Sequence, residues 1–250
     1  MTNVSPRALR AQRRELKFLV EESLARRVRA GVAPYVEPDP FAARFEGNTY
    51  PIASLYLDGS ELPLYRETVE GLRDRFKLRV RTYSDDADGV CFFEIKRRRD
   101  GIVEKTRAAV LRPAAEGLLA DPAAVDAIHD PRTHRALLEF FSLAAVTAAQ
   151  PRTVVRYDRE AWVGRFDPEI RVTFDRHLQA AVTDEGRLRV ARPDYVPVEG
   201  RRVVVEFKFN RCMPTWMAKV IQALELTRVS YSKYGHSIEA CATHGAFRRN

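Results

Sequence analysis

Three times the chain writes Glu-x-Lys inside a run of large apolar residues: Glu15 and Lys17 in "RRELKFLV", Glu94 and Lys96 in "CFFEIKRR", Glu206 and Lys208 in "VVVEFKFN". In an extended strand, residues two apart share a face, roughly 7 Å from one another along the strand. Each pair therefore sets a carboxylate beside an ammonium, while Leu16 and Phe18, Phe93 and Ile95, or Phe207 and Phe209 turn the other way. Ammonium groups neutralise phosphate oxygens and a carboxylate holds a divalent cation, so the chemistry on offer is that of a bound polyanion with a metal.

Other apolar runs repeat the pattern. Lys77, Arg79, Arg81 and Tyr83 alternate with Phe76, Leu78 and Val80. Lys105 shares a face with Arg107, Tyr157 with Arg159, and Arg171 with Thr173 and Asp175. A solvated sheet face accounts for any one such strand. It accounts less well for all of them, since nearly every strand contributes Arg or Lys. Roughly eight strands suffice to close a barrel, and the charged face then becomes the lumen. Cations crowded there repel unless an anion and a metal share the space.

The elements that must position these residues follow from periodicity and turn chemistry. Residues 1–14 are basic and poorly patterned, a leader. "ELKFLV" reads as a strand, followed by a helix through "EESLARRVRAGV"; "IASLYLD" and "DRFKLRVRTY" are strands around a short helix ending at Gly71. "VCFFEIKRR" and "IVEKTRAAVL" pair about Asp100-Gly101, a strong hairpin signal. From 113 to 149 the chain is Ala/Leu-rich and helical, an insertion or cover within a single domain spanning 15–250. "RTVVRYDREAWVG", "EIRVTFDRHLQAAV" and "RRVVVEFKFN" are further strands, and "TWMAKVIQALEL" a packing helix. The expected fold is α+β: a closed antiparallel β-barrel of roughly eight strands with helices packed outside.

Bulk properties agree. The net charge is +8, from Lys+Arg 42 against Asp+Glu 34, which favours an anionic partner. The three cysteines have neither zinc nor disulfide spacing, and the five histidines lack metal spacing. No apolar run has the length of a membrane span, so the expected location is the cytoplasm. "KRRRDG" at a hairpin reads as a solvated tip, and no nucleic-acid partner is expected.

With the strands in order, the sequence resembles the VTC domain, the catalytic domain of polyphosphate polymerases, within the triphosphate tunnel metalloenzymes that also include the CYTH proteins. The resemblance rests on "ELKFLV", "IASLYLD", "FKLRVRTY", "FFEIKRRRDGIVEKTRAAV", "YDREAWVG", "RVTFDRHL", "VVVEFKFN" and "SYSKYG", in family order. CYTH members carry Glu-x-Glu-x-Lys near the N-terminus; Arg13 stands here at the first position, which favours the VTC branch.

The resemblance implies that Lys17, Arg79, Arg81, Lys96, Lys105, Arg159 and Arg171 line a tunnel and hold phosphates, with Tyr157 beside them. It also implies that Glu206 binds Mn²⁺ or Mg²⁺ and that Ser232 and Lys233 contact phosphate near the tunnel's end. Lys208 and Arg107 join this set because they share its faces. Glu15, Glu94 and Asp175 are additional candidate acids, Asp175 equally readable as a structural ion-pair partner. The implied activity is transfer of the γ-phosphate of ATP to a growing inorganic polyphosphate chain. The alternatives are a tripolyphosphatase or nucleoside triphosphatase on the same scaffold, or a polyphosphate-binding module without catalysis. No sensing domain or membrane anchor fits in the chain, so a membrane partner, if any, is a separate protein.

Overall fold

The strict alternation of Lys77–Tyr83 does build a strand, and it does so in company. The computed structural model describes residues 13–99, 102–210 and 212–245; the leader up to residue 12 and the Asp100-Gly101 turn lie outside the described residues. The strands and helices run β1 (Arg13–Val20), α1 (Glu22–Val32), β2 (Val36–Pro38), β3 (Thr49–Asp58), α2 (Pro63–Val69), β4 (Arg75–Thr82), β5 (Val90–Arg99) and β6 (Ile102–Leu111). They continue α3 (Arg112–Ala120), α4 (Pro131–Val146), β7 (Gln150–Gly164), β8 (Arg171–Val182), β9 (Val196–Pro197), β10 (Val203–Asn210), α5 (Thr215–Ala223) and α6 (Lys233–Thr243).

Eight strands form one curled antiparallel sheet in the order β1-β10-β8-β7-β3-β4-β5-β6, with β2 and β9 short additions beside β7 and β8. Register shifts at Arg156/Asp158 in β7–β8 and at Tyr56/Leu57 in β3–β7 mark bulges, which sharpen local twist and help the sheet curl.

The expected closure is corrected. β1 and β6 end the strand order and do not pair with each other, so the sheet is a half-barrel. The segment after α5 occupies the free edge of β1 instead: the Val229 amide donates to the Lys17 carbonyl at 2.9 Å, and Lys17 Nζ donates to the Tyr231 carbonyl at 2.8 Å. Only side chains reach across the gap, as in the 3.8 Å pair between Glu15 on β1 and Lys96 on β5.

The oily face packs outward in two places. Leu78, Val80, Phe93 and Ile95 lie under α3 and α4 with Leu118, Leu137 and Phe140. Phe18, Val205, Phe207 and Phe174 lie under α1 and α5 with Val28, Val32 and Met217. The 113–149 segment is thus a helical cover on β5 and β6. α4 is started by Asp130, whose carboxylate accepts from the Thr133 amide at 2.7 Å.

A third cluster lies on the concave side, where α6 enters the half-barrel. Tyr234 and Ile238 of α6 meet Tyr56, Val155, Tyr157, Leu178 and Val204. Buried Asp58 locks this arrangement: it accepts from the Leu64 and Tyr65 amides at the start of α2 and from the Tyr234 hydroxyl at 2.7 Å. No element was expected after residue 226, so α6 is an addition to the sequence reading.

Candidate active site

Strand pairing arranges the concave charges in rows. Lys77, Lys96 and Lys105 stand side by side across β4, β5 and β6, and Arg79, Glu94 and Arg107 form the next row. On the other wall Lys17, Glu206 and Thr173 make one row and Glu15, Lys208 and Arg171 another. Asp175, Arg159 and Tyr50 cross β8, β7 and β3. Between the walls lies a cavity of about 2210 Å³.

Two buried acids organise the cations. Glu206 accepts from Lys208 Nζ at 2.6 Å and Lys233 Nζ at 2.8 Å, with Arg159 at 3.6 Å and Lys17 at 3.8 Å. Burial opposes its charge, but the Lys208, Lys233 and Lys17 ammoniums override this and hold the carboxyl well below the usual range. Glu94 binds Arg79 at 2.6 Å and both Lys105 and Arg107 at 2.5 Å. Its own burial is likewise outweighed, chiefly by Arg79 and Arg81. Asp175 takes both arms of Arg159 at 2.7 Å and Lys233 at 2.6 Å.

The lysines of the facing wall are less well served. Burial pulls Lys96 down to about 8, with Lys17 and Arg79 adding repulsion against Glu15. Burial and Arg79 pull Lys105 to about 7 although it touches Glu94, because it shares that carboxylate with two guanidiniums. Both side chains are reachable by lumen water, at 37% exposure, yet the walls enclose them. Lys77 donates to Ser232 Oγ at 2.9 Å. Burial and the neighbouring Lys96 and Lys17 leave it well below the ordinary lysine range.

A proton-linkage result follows. Well below pH 7 Lys96 and Lys105 are charged in both folded and unfolded chains, so their repulsion is fully present; it fades as pH rises and they neutralise. A bound polyanion raises them again. At pH 8 binding of ATP, already ionised, should take up about one proton or more, and affinity should fall between pH 7 and 9. Calorimetry in two buffers of different ionisation enthalpy measures this. Identical heats would show that the lysines are already charged in the empty lumen.

Lys17, Arg79, Arg81, Lys96, Lys105, Tyr157, Arg159, Arg171, Lys208, Ser232, Lys233, Glu15 and Glu206 all border the cavity. Glu94 and Asp175 lie beneath its wall, with no exposure. Arg171 stands at the edge, half in solvent and paired with Asp39 at 2.8 Å. Residues not singled out from the sequence also border it: Lys77, Tyr56 and Thr173. Lys77 was legible, since it alternates in step with Arg79 and Arg81. "KRRR" is not a uniform tip: Lys96 borders the cavity and Arg97 pairs with Glu139 at 2.7 Å. His236 is stacked on Tyr231 at 4.3 Å beside the cavity.

The sequence profile of the VTC domain matches residues 12–242, nearly the whole length of the chain. The chain belongs to the VTC domain family. No curated protein matches this VTC domain in sequence. Among solved structures, a candidate adenylate cyclase from Bacillus halodurans is similar at 10% identity and a TM-score of 0.46, covering 89% of this chain and 93% of its own. No helix among the described residues is long and apolar enough to cross a membrane.

Glu206 could take part in holding a divalent metal. Among the described residues no three of His, Cys, Asp and Glu cluster to hold one unaided. Mg²⁺ and Mn²⁺ do not need that: one or two carboxylates suffice when substrate phosphates and water complete the shell. Glu206 is such a carboxylate, facing the lumen of the VTC domain. Burial and, after it, the Glu206 charge push the carboxyl of Glu15 on β1 upward, but Lys208, Lys17 and Lys96 together hold it below its ordinary range.

Proposed function

We propose that this VTC domain is a polyphosphate polymerase that transfers the γ-phosphoryl group of ATP to the end of an inorganic polyphosphate chain. The observation that carries the reading is the excess of inward-facing cations, set in rows along the walls of one cavity. A wall of this kind is costly when empty and is relieved by an extended row of phosphates.

Phosphoryl transfer asks for charge neutralisation and alignment rather than a protein nucleophile. The row Arg79–Arg107, the Lys77–Lys96–Lys105 row beside it, and Arg159 and Lys233 opposite surround a triphosphate and hold its γ-group between walls. The chain's terminal oxygen is itself an ionised nucleophile, so the residues' task is to hold it in line. Mn²⁺ or Mg²⁺ held by Glu206 supplies Lewis-acid neutralisation of phosphate oxygens when bound.

Incubation with ATP and Mn²⁺, followed by separation of long polyphosphate from orthophosphate, tests the reading. Long chains support it. Orthophosphate alone replaces it with a hydrolase on the same scaffold, and tight metal-independent binding without turnover replaces it with a binding module.

Arg81 allows a sharper test. Its guanidinium donates to Ser54 Oγ at 3.1 Å and the Tyr157 hydroxyl at 3.3 Å, both neutral groups, whereas Arg79 is committed to Glu94. A contact to a charged group is worth about 1.5–3 kcal/mol, so Arg81→Ala should weaken ATP binding about tenfold or more. The melting temperature of the empty protein should fall, because Arg81 is buried and its charge helps to hold Glu94 ionised. Arg79→Ala should weaken binding similarly and lower the melting temperature further, because it strips Glu94 of a direct partner. Near-normal affinity in both variants would place this wall outside the binding site.

A further inference from the structure

One mouth of the cavity is built differently from the phosphate rows. Phe41, Phe45, Tyr50, Tyr83 and Phe92 border it. Their rings form one connected cluster, with Phe41 against Tyr50 at 4.8 Å and Tyr83 at 5.4 Å, and Tyr83 against Phe92 at 5.6 Å. Only Tyr50 is fully buried; the other four keep part of their surface open. This mouth lies beyond the end of β4 at Thr82, whereas Arg75 and Arg98 pair at the strand's other end, some 20 Å away or more.

Phosphate has no use for aromatic rings, yet these rings are joined directly to the phosphate rows. Phe92 stands opposite Arg81 across β4–β5, and Tyr50 opposite Arg159 across β3–β7. The Arg107 guanidinium sits over the Phe92 ring at 4.5 Å while its other contact is Glu94 within the rows. A second guanidinium, Arg44, lies over Phe41 at 5.6 Å. The rim is braced as well: Arg112, itself buried, donates to the Asp86 carbonyl at 2.8 Å and the Leu188 carbonyl at 2.6 Å, and to the Ser84 carbonyl. Arg112 thus fixes the loop that follows Tyr83, while Tyr50 and Phe92 are carried by β3 and β5, which suits a binding surface.

We propose that this aromatic mouth is the seat of the donor's nucleobase, stacked against the open faces of Phe41 and Phe92 within reach of the Arg44 and Arg107 planes. The assignment rests on the reading of ATP as donor given above. It sets a direction: the α-phosphate lies near Arg81 and Arg159, and the γ-phosphate points inward, toward Lys77 and Lys96. Stacking accepts any base because every base has a π-face, so the seat selects for a nucleoside triphosphate over a bare one and discriminates weakly among bases.

The test compares ATP with methyl triphosphate, which carries the same charge and no nucleoside. The wild-type protein should bind ATP about tenfold tighter at equal salt, the range expected for one stacked base. In Phe41→Leu and Phe92→Leu, which remove the ring, that advantage should shrink to about twofold or less; Phe92→Leu should in addition weaken both ligands equally, because Arg107 loses the ring beneath it. Photolabelling of the wild-type protein with 8-azido-ATP requires no variant and should mark residues 41–50 or 83–92. Equal affinity for the two ligands, an ATP advantage that survives both substitutions, or labelling near Arg75 and Arg98 would each overturn the assignment while leaving the triphosphate site standing. If neither ligand binds the wild-type protein, the proposed function fails and this seat with it.

Discussion

Glu206→Gln is expected to reduce turnover by at least about a hundredfold and to lower the melting temperature by about 10 °C, while ATP and tripolyphosphate still bind. The two losses have separate causes. Turnover falls because the substitution keeps the shape and removes the buried carboxylate that the proposed function assigns to the divalent cation; electrostatic groups acting on the transferring phosphoryl are commonly worth a hundredfold or more. Stability falls because Glu206 is also the counter-ion of Lys208 and Lys233, with Arg159 and Lys17 within 4 Å. Leaving such cations without their carboxylate costs about 3–5 kcal/mol, and a domain of this size loses about 2–4 °C per kcal/mol. Polyanion binding survives, and tightens, because the ligand now meets a more positive wall. Activity and thermal scans with and without tripolyphosphate check all three. Full activity would move the metal to Glu15 or Glu94.

What could be read from the sequence was what alternation decides. Because side chains change face at every residue, the partition of Arg79 and Arg81 from Leu78 and Val80, or of Glu206 and Lys208 from Phe207, is local, and it held for these residues. Closure is not local. Whether β1 meets β6 depends on accumulated twist and on what competes for the edge of β1, and the competitor proved to be the segment at Val229–Tyr231. α6 was within reach. Ser232 caps it by accepting from the Gly235 amide at 3.1 Å, and Tyr234, Ile238 and Cys241 repeat at helical spacing. Its short length and flanking serines and glycine obscured that signal. The aromatic mouth was not legible at all, since Phe41, Tyr50, Tyr83 and Phe92 come from four separate stretches of chain and only the curl of the sheet assembles them.

Glu94→Gln should produce the opposite functional outcome from a similar structural loss, and so separates the lumen's two buried acids. Glu94 has no exposure and carries Arg79, Lys105 and Arg107 at 2.5–2.6 Å. Two of these partners are open to lumen water, at 37% and 39% exposure, which screens part of the interaction. The expected destabilisation is therefore near the lower end of the buried-pair range, about 3 kcal/mol. Its pH dependence is fixed by the direction of the shift. The folded carboxyl titrates below its unfolded counterpart, so its contribution is fully present above the ordinary glutamate range of about 4.3 and is lost as pH falls toward the folded value. The gap in melting temperature between wild type and variant should accordingly shrink below about pH 4, and it should also narrow above about pH 7, where Lys105 neutralises and its attraction to Glu94 is lost. Tripolyphosphate supplies the missing negative charge, so its stabilising shift should be larger in the variant than in the wild type, by linkage. Turnover should persist, because the lysines and arginines released from Glu94 remain free to face phosphate and Glu206 keeps its place for the metal. A variant as inactive as Glu206→Gln would instead assign Glu94 to the reaction itself, and a polyanion shift no larger than the wild type's would mean that the Arg79–Lys105–Arg107 wall does not face the bound chain.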